Sequence, residues 1–262
     1  MDSSVSLIPA IQVTPARQFY LDTMAVLDRH QVPYLIGGGY AMAFYTGIVR
    51  DTKDLDLFLR AADVERALDV LSAEGLRTER TWPPFLAKVL ADNAFVDLLH
   101  NSGNGLCPVD DQWFAYGIVA DVLGRQTLLC PPEEVLWSKG FVQERDRFDG
   151  ADIAHLILAQ GHRFDWHRLV GRFDQHYRVL LGHLVFFGYI YPAYRSIVPD
   201  WVIAQLLQRI AEEAAIYEPL CNGTLLAHRQ YRTDVQEWGF LDARLRPHGP
   251  FTPQQLEQLP DP

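Results

Sequence analysis

Apolar positions along this chain change their period several times, and each change marks an element. Over residues 16–30, Phe19, Met24, Ala25 and Leu27 recur at helical spacing, which predicts a first helix ending before Gln31-Val32-Pro33. Tyr34-Leu35-Ile36 reads as a short strand that breaks into Gly37, Gly38 and Gly39, and residues 40–45 follow as a helical segment. The run Asp54-Leu55-Asp56-Leu57-Phe58-Leu59 alternates with period two, so it predicts a strand with Asp54 and Asp56 on one face. Residues 63–75 read as a helix capped by Asp63, with Val64, Ala67, Leu68 and Leu71 as its apolar face and Gly75 as its stop. Residues 78–90 are less regular: Trp82-Pro83-Pro84 is a turn or bulge, and residues 86–90 suit a strand. Residues 94–100 predict another strand, apolar but for Asp97.

The second half of the chain is helical in pattern. After turn signals and a strand or two over residues 107–127, Pro131-Pro132-Glu133-Glu134 opens a helix running through Phe141, with Pro and acids in its first turn. A charged stretch over residues 143–152 leads into a further apolar helix. Residues 165–173 and 175–191 predict two more. The apolar face of the second (Tyr177, Leu180, Leu181, Leu184, Val185, Phe187) is wide enough for the centre of a bundle. Asp200 reads as the cap of a helix over 201–216. This pattern divides the chain into an α/β region over 15–128 and a helical domain over 129–243, with flexible ends at 1–14 and 244–262.

Composition narrows the partners. The chain has 262 residues, 48% hydrophobic and 21% charged, as in an ordinary globular protein. A net charge of −10 argues against an extended DNA-binding surface, because phosphate contacts need clustered Lys and Arg. A nucleoside triphosphate remains compatible, since a few local cations and a metal offset the global charge. The 3 cysteines are far apart in sequence and suit a reducing, cytoplasmic setting. The most apolar stretch, 179–190, is too short to span a bilayer, so no membrane partner is expected. His162, His167, His176 and His183 lack ligand spacing and read as core or surface residues.

The candidate chemistry begins at the acidic strand. Two carboxylates side by side repel unless a cation lies between them, and hard oxygen donors suit Mg2+ or Mn2+. The three glycines have two readings: a tight turn between strand and helix, or a backbone close to a triphosphate with helix N-terminal amides facing it. Asp97 taken alone reads as a strand-end residue capping the following turn. Lys53 reads as solvent-facing.

A glycine pair ending one strand, a helix, then Arg50-x-Thr52-x-Asp54-Leu55-Asp56 on the next strand resembles the nucleotidyltransferase superfamily, the fold of DNA polymerase beta. Within it the form is most similar to stand-alone bacterial members, which include antibiotic nucleotidyltransferases and toxins of abortive-infection systems. The resemblance implies an α+β fold, a mixed sheet with flanking helices, followed by a C-terminal helical domain. It makes Asp97 the third carboxylate, a ligand of the metal and acceptor of the proton from the attacking hydroxyl. It places Gly38, Gly39 and Thr52 against the nucleotide and has Arg50 brace the acidic loop. A second region of resemblance, a Lys on a helix, then Arg-x-x-Asp, then an apolar helix, has Lys139, Arg147, Asp149 and Asp152 as its matching positions, with a looser match at Arg147-Phe148-Asp149 than at the front motif. There Lys139 reaches the triphosphate while Arg147 and Asp149 fix the turn; the alternative is a charged inter-helix turn closed by its own ion pairs.

The implied activity is metal-dependent transfer of a nucleoside monophosphate from a triphosphate to a hydroxyl, with release of pyrophosphate. A small molecule, a protein and an RNA end all fit as acceptor, and a toxin-type enzyme would have an antitoxin partner. The alternative is a non-catalytic nucleotide-binding or regulatory module that keeps the fold.

Overall fold

The structure is a computed structural model that describes residues 15–50, 52, 54–215, 217–257 and 259. The lead-in over 1–14, Lys53, and positions 258 and 260–262 of the expected tail lie outside the described residues. The chain forms two compact units that divide between Pro131 and Pro132.

The first unit is built on a seven-stranded sheet. In chain order its elements are α1 (Pro15–Arg29), β1 (Leu35–Ile36), α2 (Gly38–Thr46), β2 (Asp54–Phe58), α3 (Ala61–Ala73), β3 (Arg77–Trp82), β4 (Leu86–Leu90), β5 (Phe95–Leu99), α4 (Asp111–Ala115), β6 (Ile118–Val122) and β7 (Arg125–Leu129). The strand order is β3-β4-β5-β2-β1-β7-β6. β2 runs parallel to β5 and antiparallel to β1, and β1 runs parallel to β7, so the sheet is mixed. The fold class is thus α+β, with a helical unit following the sheet.

Alternation in the central strands separates a core face from a polar one. Leu55 and Leu57 of β2 and Val96 and Leu98 of β5 are fully buried, while Asp54, Asp56 and Asp97 are only half-buried on the opposite face. α1 packs against α3 and β5, and α3 packs against β3. Burying these Leu and Val side chains supplies roughly 1.5–3 kcal/mol apiece.

Three local expectations change. α3 starts at Ala61 with Arg60 as its N-cap, and Asp63 lies inside the first turn, 3.6 Å from the Arg60 guanidinium. An acid there still favours the positive helix end, but as a charge and not as the cap. Residues 77–82 form a regular strand, and the predicted irregularity shrinks to a register shift between Glu79 and Trp82. The expected flexible tail holds a short helix, Pro253–Glu257, and a bridge between Leu245 and Phe251, because Phe251 is buried.

The second unit contains α5 (Pro132–Gly140), α6 (Gly150–Gln160), α7 (Trp166–Phe173), α8 (Tyr177–Ile190) and α9 (Asp200–Glu212). α8 packs against α5, α6, α7 and α9. Val185, read as part of its apolar face, is exposed, as are Phe186 and Tyr189. α5 is the more enclosed helix, burying Glu133 and Glu134 as well as Val135, Leu136 and Trp137. Those acids survive burial because Arg168 of α7 reaches both, at 2.6 Å from Glu133, and Arg172 reaches Glu134 at 3.1 Å. Asp200 opens α9 from inside its first turn, and Pro199 is the N-cap.

Candidate active site

The acidic face of β2 is completed by its parallel neighbour. Asp56 and Asp97 are direct partners in the β2–β5 register, so their side chains leave the sheet on the same side. Asp54 lies two residues before Asp56 on that face. One carboxylate oxygen from each of Asp54, Asp56 and Asp97 can be chosen so that all lie within 4.8 Å of one another. Among the described residues this is the one group of three or more His, Cys, Asp or Glu side chains spaced for an ion. The histidines of the second unit form no such cluster.

The glycine turn is fitted to this face. Gly37 donates its N–H to the Asp56 carbonyl at 3.0 Å, tying the end of β1 to the acidic strand. Gly38 has φ +50°, and a β-carbon built there would stand 1.6 Å from Asp56 Oδ2. Only glycine lets the carboxylate come that close. Gly39 is different: its β-carbon would meet Thr52 at 3.5 Å, an ordinary contact. Gly37 is the N-cap of α2 with no side chain capping it, so the first turn of the helix opens directly beside Asp56. At the other end of α2, Tyr45 donates its hydroxyl to the Cys130 carbonyl at 2.6 Å.

Neighbouring groups set the electrostatics. The Thr52 hydroxyl donates to Asp54 Oδ1 at 2.6 Å and fixes that carboxylate. Lys88 of β4 holds Asp97 Oδ1 at 2.6 Å. Tyr20 of α1 is buried, and its hydroxyl finds no hydrogen-bond partner among the described residues. Burial pushes that hydroxyl up to about 12, with Tyr40, Asp54 and Asp56 adding to the effect. Burial likewise raises Tyr40, and Asp54 adds to it against the opposing charge of Arg17. Phe58 stacks on the fully buried Trp113 of α4, with ring centroids 5.2 Å apart, and anchors the C-terminal end of the acidic strand.

The structure therefore brings together Asp54, Asp56, Asp97, Gly38, Gly39 and Thr52. Arg50 is exposed in the segment before β2. Lys139, Arg147 and Asp149 belong to the second unit. There the Lys139 ammonium is engaged by Asp149 at 2.8 Å and Asp152 at 2.9 Å, while the exposed Arg147 lies 3.9 Å from Asp149. These pairs join α5 to the start of α6. Lys88 and Tyr20 are the residues that sequence reasoning missed. For Lys88 a signal existed: residues 86–90 and 95–99, folded about the four residues between them, place position 88 opposite 97.

The donor set suits a divalent cation. Three carboxylate oxygens are hard ligands of the kind Mg2+ and Mn2+ take, and the Lys88 ammonium shows that the trio already attracts a positive charge.

Residues 20–100 match the family model described as aminoglycoside-2''-adenylyltransferase. No curated protein matches the sequence. Among solved structures, the chain is similar to the lincosamide antibiotic adenylyltransferase LnuA with lincomycin bound, at 19% identity and TM-score 0.39, over 55% of this chain and 96% of that one. It is similar to ANT(2'')-Ia in complex with adenylyl-2''-tobramycin at 14% identity and TM-score 0.41, over 75% and 99%. A nucleotidyltransferase-like protein from Paracoccidioides brasiliensis aligns at 16% identity and TM-score 0.42, over 71% and 93%. None of these names an antitoxin partner. The glycine turn, the acidic pair and Asp97 all lie inside the matched residues 20–100.

Proposed function

We propose that this chain transfers a nucleoside monophosphate from a nucleoside triphosphate to a hydroxyl of a small, cationic acceptor, with an aminoglycoside-like molecule as the leading class. The observation that carries the reading is the convergence of Asp54, Asp56 and Asp97 beside a glycine turn that fits only glycine at position 38. The acceptor class is supported by the family whose model matches residues 20–100 and by a net charge of −10, which attracts a polycation.

Each residue then has a task. Asp54 and Asp56, the first steadied by Thr52, hold Mg2+ or Mn2+ with Asp97. When bound, the ion supplies positive charge for the triphosphate and for the charge developing at the α-phosphate. The amides opening α2 at Gly38 and Gly39 face the phosphates. Asp97 takes the proton of the acceptor hydroxyl as its oxygen bonds to the α-phosphorus and the bond to pyrophosphate breaks.

The test is calorimetry with ATP, GTP, CTP and UTP in Mg2+, on the native chain and on Asp56→Ala, followed by a transfer assay against a panel of aminoglycosides with labelled nucleotide. Metal-dependent nucleotide binding that Asp56→Ala abolishes supports the reading. The Lys88–Asp97 ion pair favours a second reading, a regulatory module in which a tethered ammonium neutralises the site. Absence of nucleotide binding in both proteins would support that one.

A further inference from the structure

Lys88 stands at the middle of β4, where its backbone pairs with Asp97 on one side and Glu79 on the other. Asp97 pairs in turn with Asp56. Direct partners across a sheet share a face, so a single row over four strands reads Glu79, Lys88, Asp97, Asp56. The Lys88 ammonium lies 2.6 Å from Asp97 Oδ1, and the two side chains are only 18% and 14% exposed. It also sits 4.0 Å over the Phe95 ring. A cation with an aromatic face beneath it and a carboxylate at hydrogen-bond distance is fixed in place, unlike a solvated surface lysine.

This lysine adjoins three carboxylates that lie within 4.8 Å of one another. Its charge offsets part of their mutual repulsion and holds one Asp97 oxygen in a set position. A divalent ion entering the trio has to share Asp97 with that ammonium and is repelled by it. The negative phosphates of a nucleotide would offset the repulsion. We propose that Lys88 is a positioning residue that orients Asp97 and weakens the binding of a bare divalent ion, so that metal enters the site together with nucleotide. The inference rests on the metal-site reading above and adds to it a residue and an order of assembly.

The sign of the effect separates this role from a structural one. Loss of a merely structural lysine would loosen Asp97 and weaken metal binding. Loss of a competing cation strengthens it. Titration of the full-length chain with Mn2+ alone, followed by the electron paramagnetic resonance of the free ion, should show Lys88→Met binding Mn2+ about tenfold more tightly than the native chain. Lys88→Arg, which keeps the charge, should stay near the native affinity. Adding a non-hydrolysable ATP analogue should tighten Mn2+ binding strongly in the native chain and much less in Lys88→Met. Lys88→Gln serves in place of the Met variant if the latter does not fold. Equal or weaker Mn2+ binding in both neutral variants overturns the role of Lys88 and leaves the metal site standing. A native chain and neutral variants that bind no Mn2+, with or without the analogue, overturn the metal-site reading itself.

Discussion

Asp56 Oδ2 occupies the space that a β-carbon on Gly38 would need, at 1.6 Å from its ideal position. The backbone at the start of α2 and a carboxylate of β2 are thus fitted to each other. Gly38→Ala has to move Asp56 and also strains a φ of +50°. It should cost more than about 1 kcal/mol of stability and at least about tenfold in turnover, as a small misplacement of a catalytic group does. Chemical denaturation and the transfer assay together check this; full activity in Gly38→Ala would mean that the carboxylate relocates freely.

Asp56→Asn and Asp97→Asn retain shape and remove charge. Each should lower nucleotidyl transfer by about 100-fold or more, with little change in melting temperature. Asp97→Asn should retain more metal-dependent nucleotide binding than Asp56→Asn, because the proposed proton acceptor matters in the chemical step. Calorimetry beside single-turnover rates separates the two effects.

In the second unit, Glu134 is fully buried against Arg168 and Arg172. Burial raises its carboxyl, and Arg168 and Arg172 oppose that shift. Arg168→Met leaves two buried acids short of a partner and should destabilise the chain by about 3–5 kcal/mol. Replacing Glu134 by Gln in the same chain should recover part of the loss. Urea unfolding of the single and double variants measures both terms, and an unchanged midpoint in Arg168→Met would remove the network from the account of stability.

Acid should weaken the fold from near neutrality. His183 is buried with Nε2 2.8 Å from the Gly140 carbonyl, and burial holds its folded-state pKa below the ordinary value. A depressed imidazole pKa means that the unfolded chain takes up the proton first. Stability is therefore intact above the unfolded value of about 6.5 and falls as pH drops below it. Burial depresses His176 in the same direction. Melting temperatures measured downward from pH 7.5 should decline less steeply in His183→Gln, which keeps a donor for Gly140 without titrating.

The parts of this site that local pattern revealed are those set by local pattern. Period-two alternation placed Asp54 and Asp56 on one face because Leu55 and Leu57 had to be buried. The glycines stood out because three in a row after a short strand mark a tight turn or a close backbone approach. Lys88 escaped notice because its role shows only once β4 is paired with β5, a step that reading each strand by itself does not reach. The Glu133 and Glu134 pairs with Arg168 were hidden for the same reason, since more than thirty residues separate the partners. The tail was misread because composition weighed its Pro and Gln more than the one aromatic, Phe251, that anchors it.

The β4–β5 connection carries a constraint of another kind. The turn over 91–94, closed by Ala91 donating to the Ala94 carbonyl at 2.8 Å, counts out the pairing that sets position 88 against 97. Adding or deleting one residue there would hand Asp97 an alanine or a valine, Ala87 or Val89, in place of its lysine. Surface loops ordinarily tolerate such length changes. This one is a ruler, and its length is as much a part of the chemistry as any side chain it brings into line.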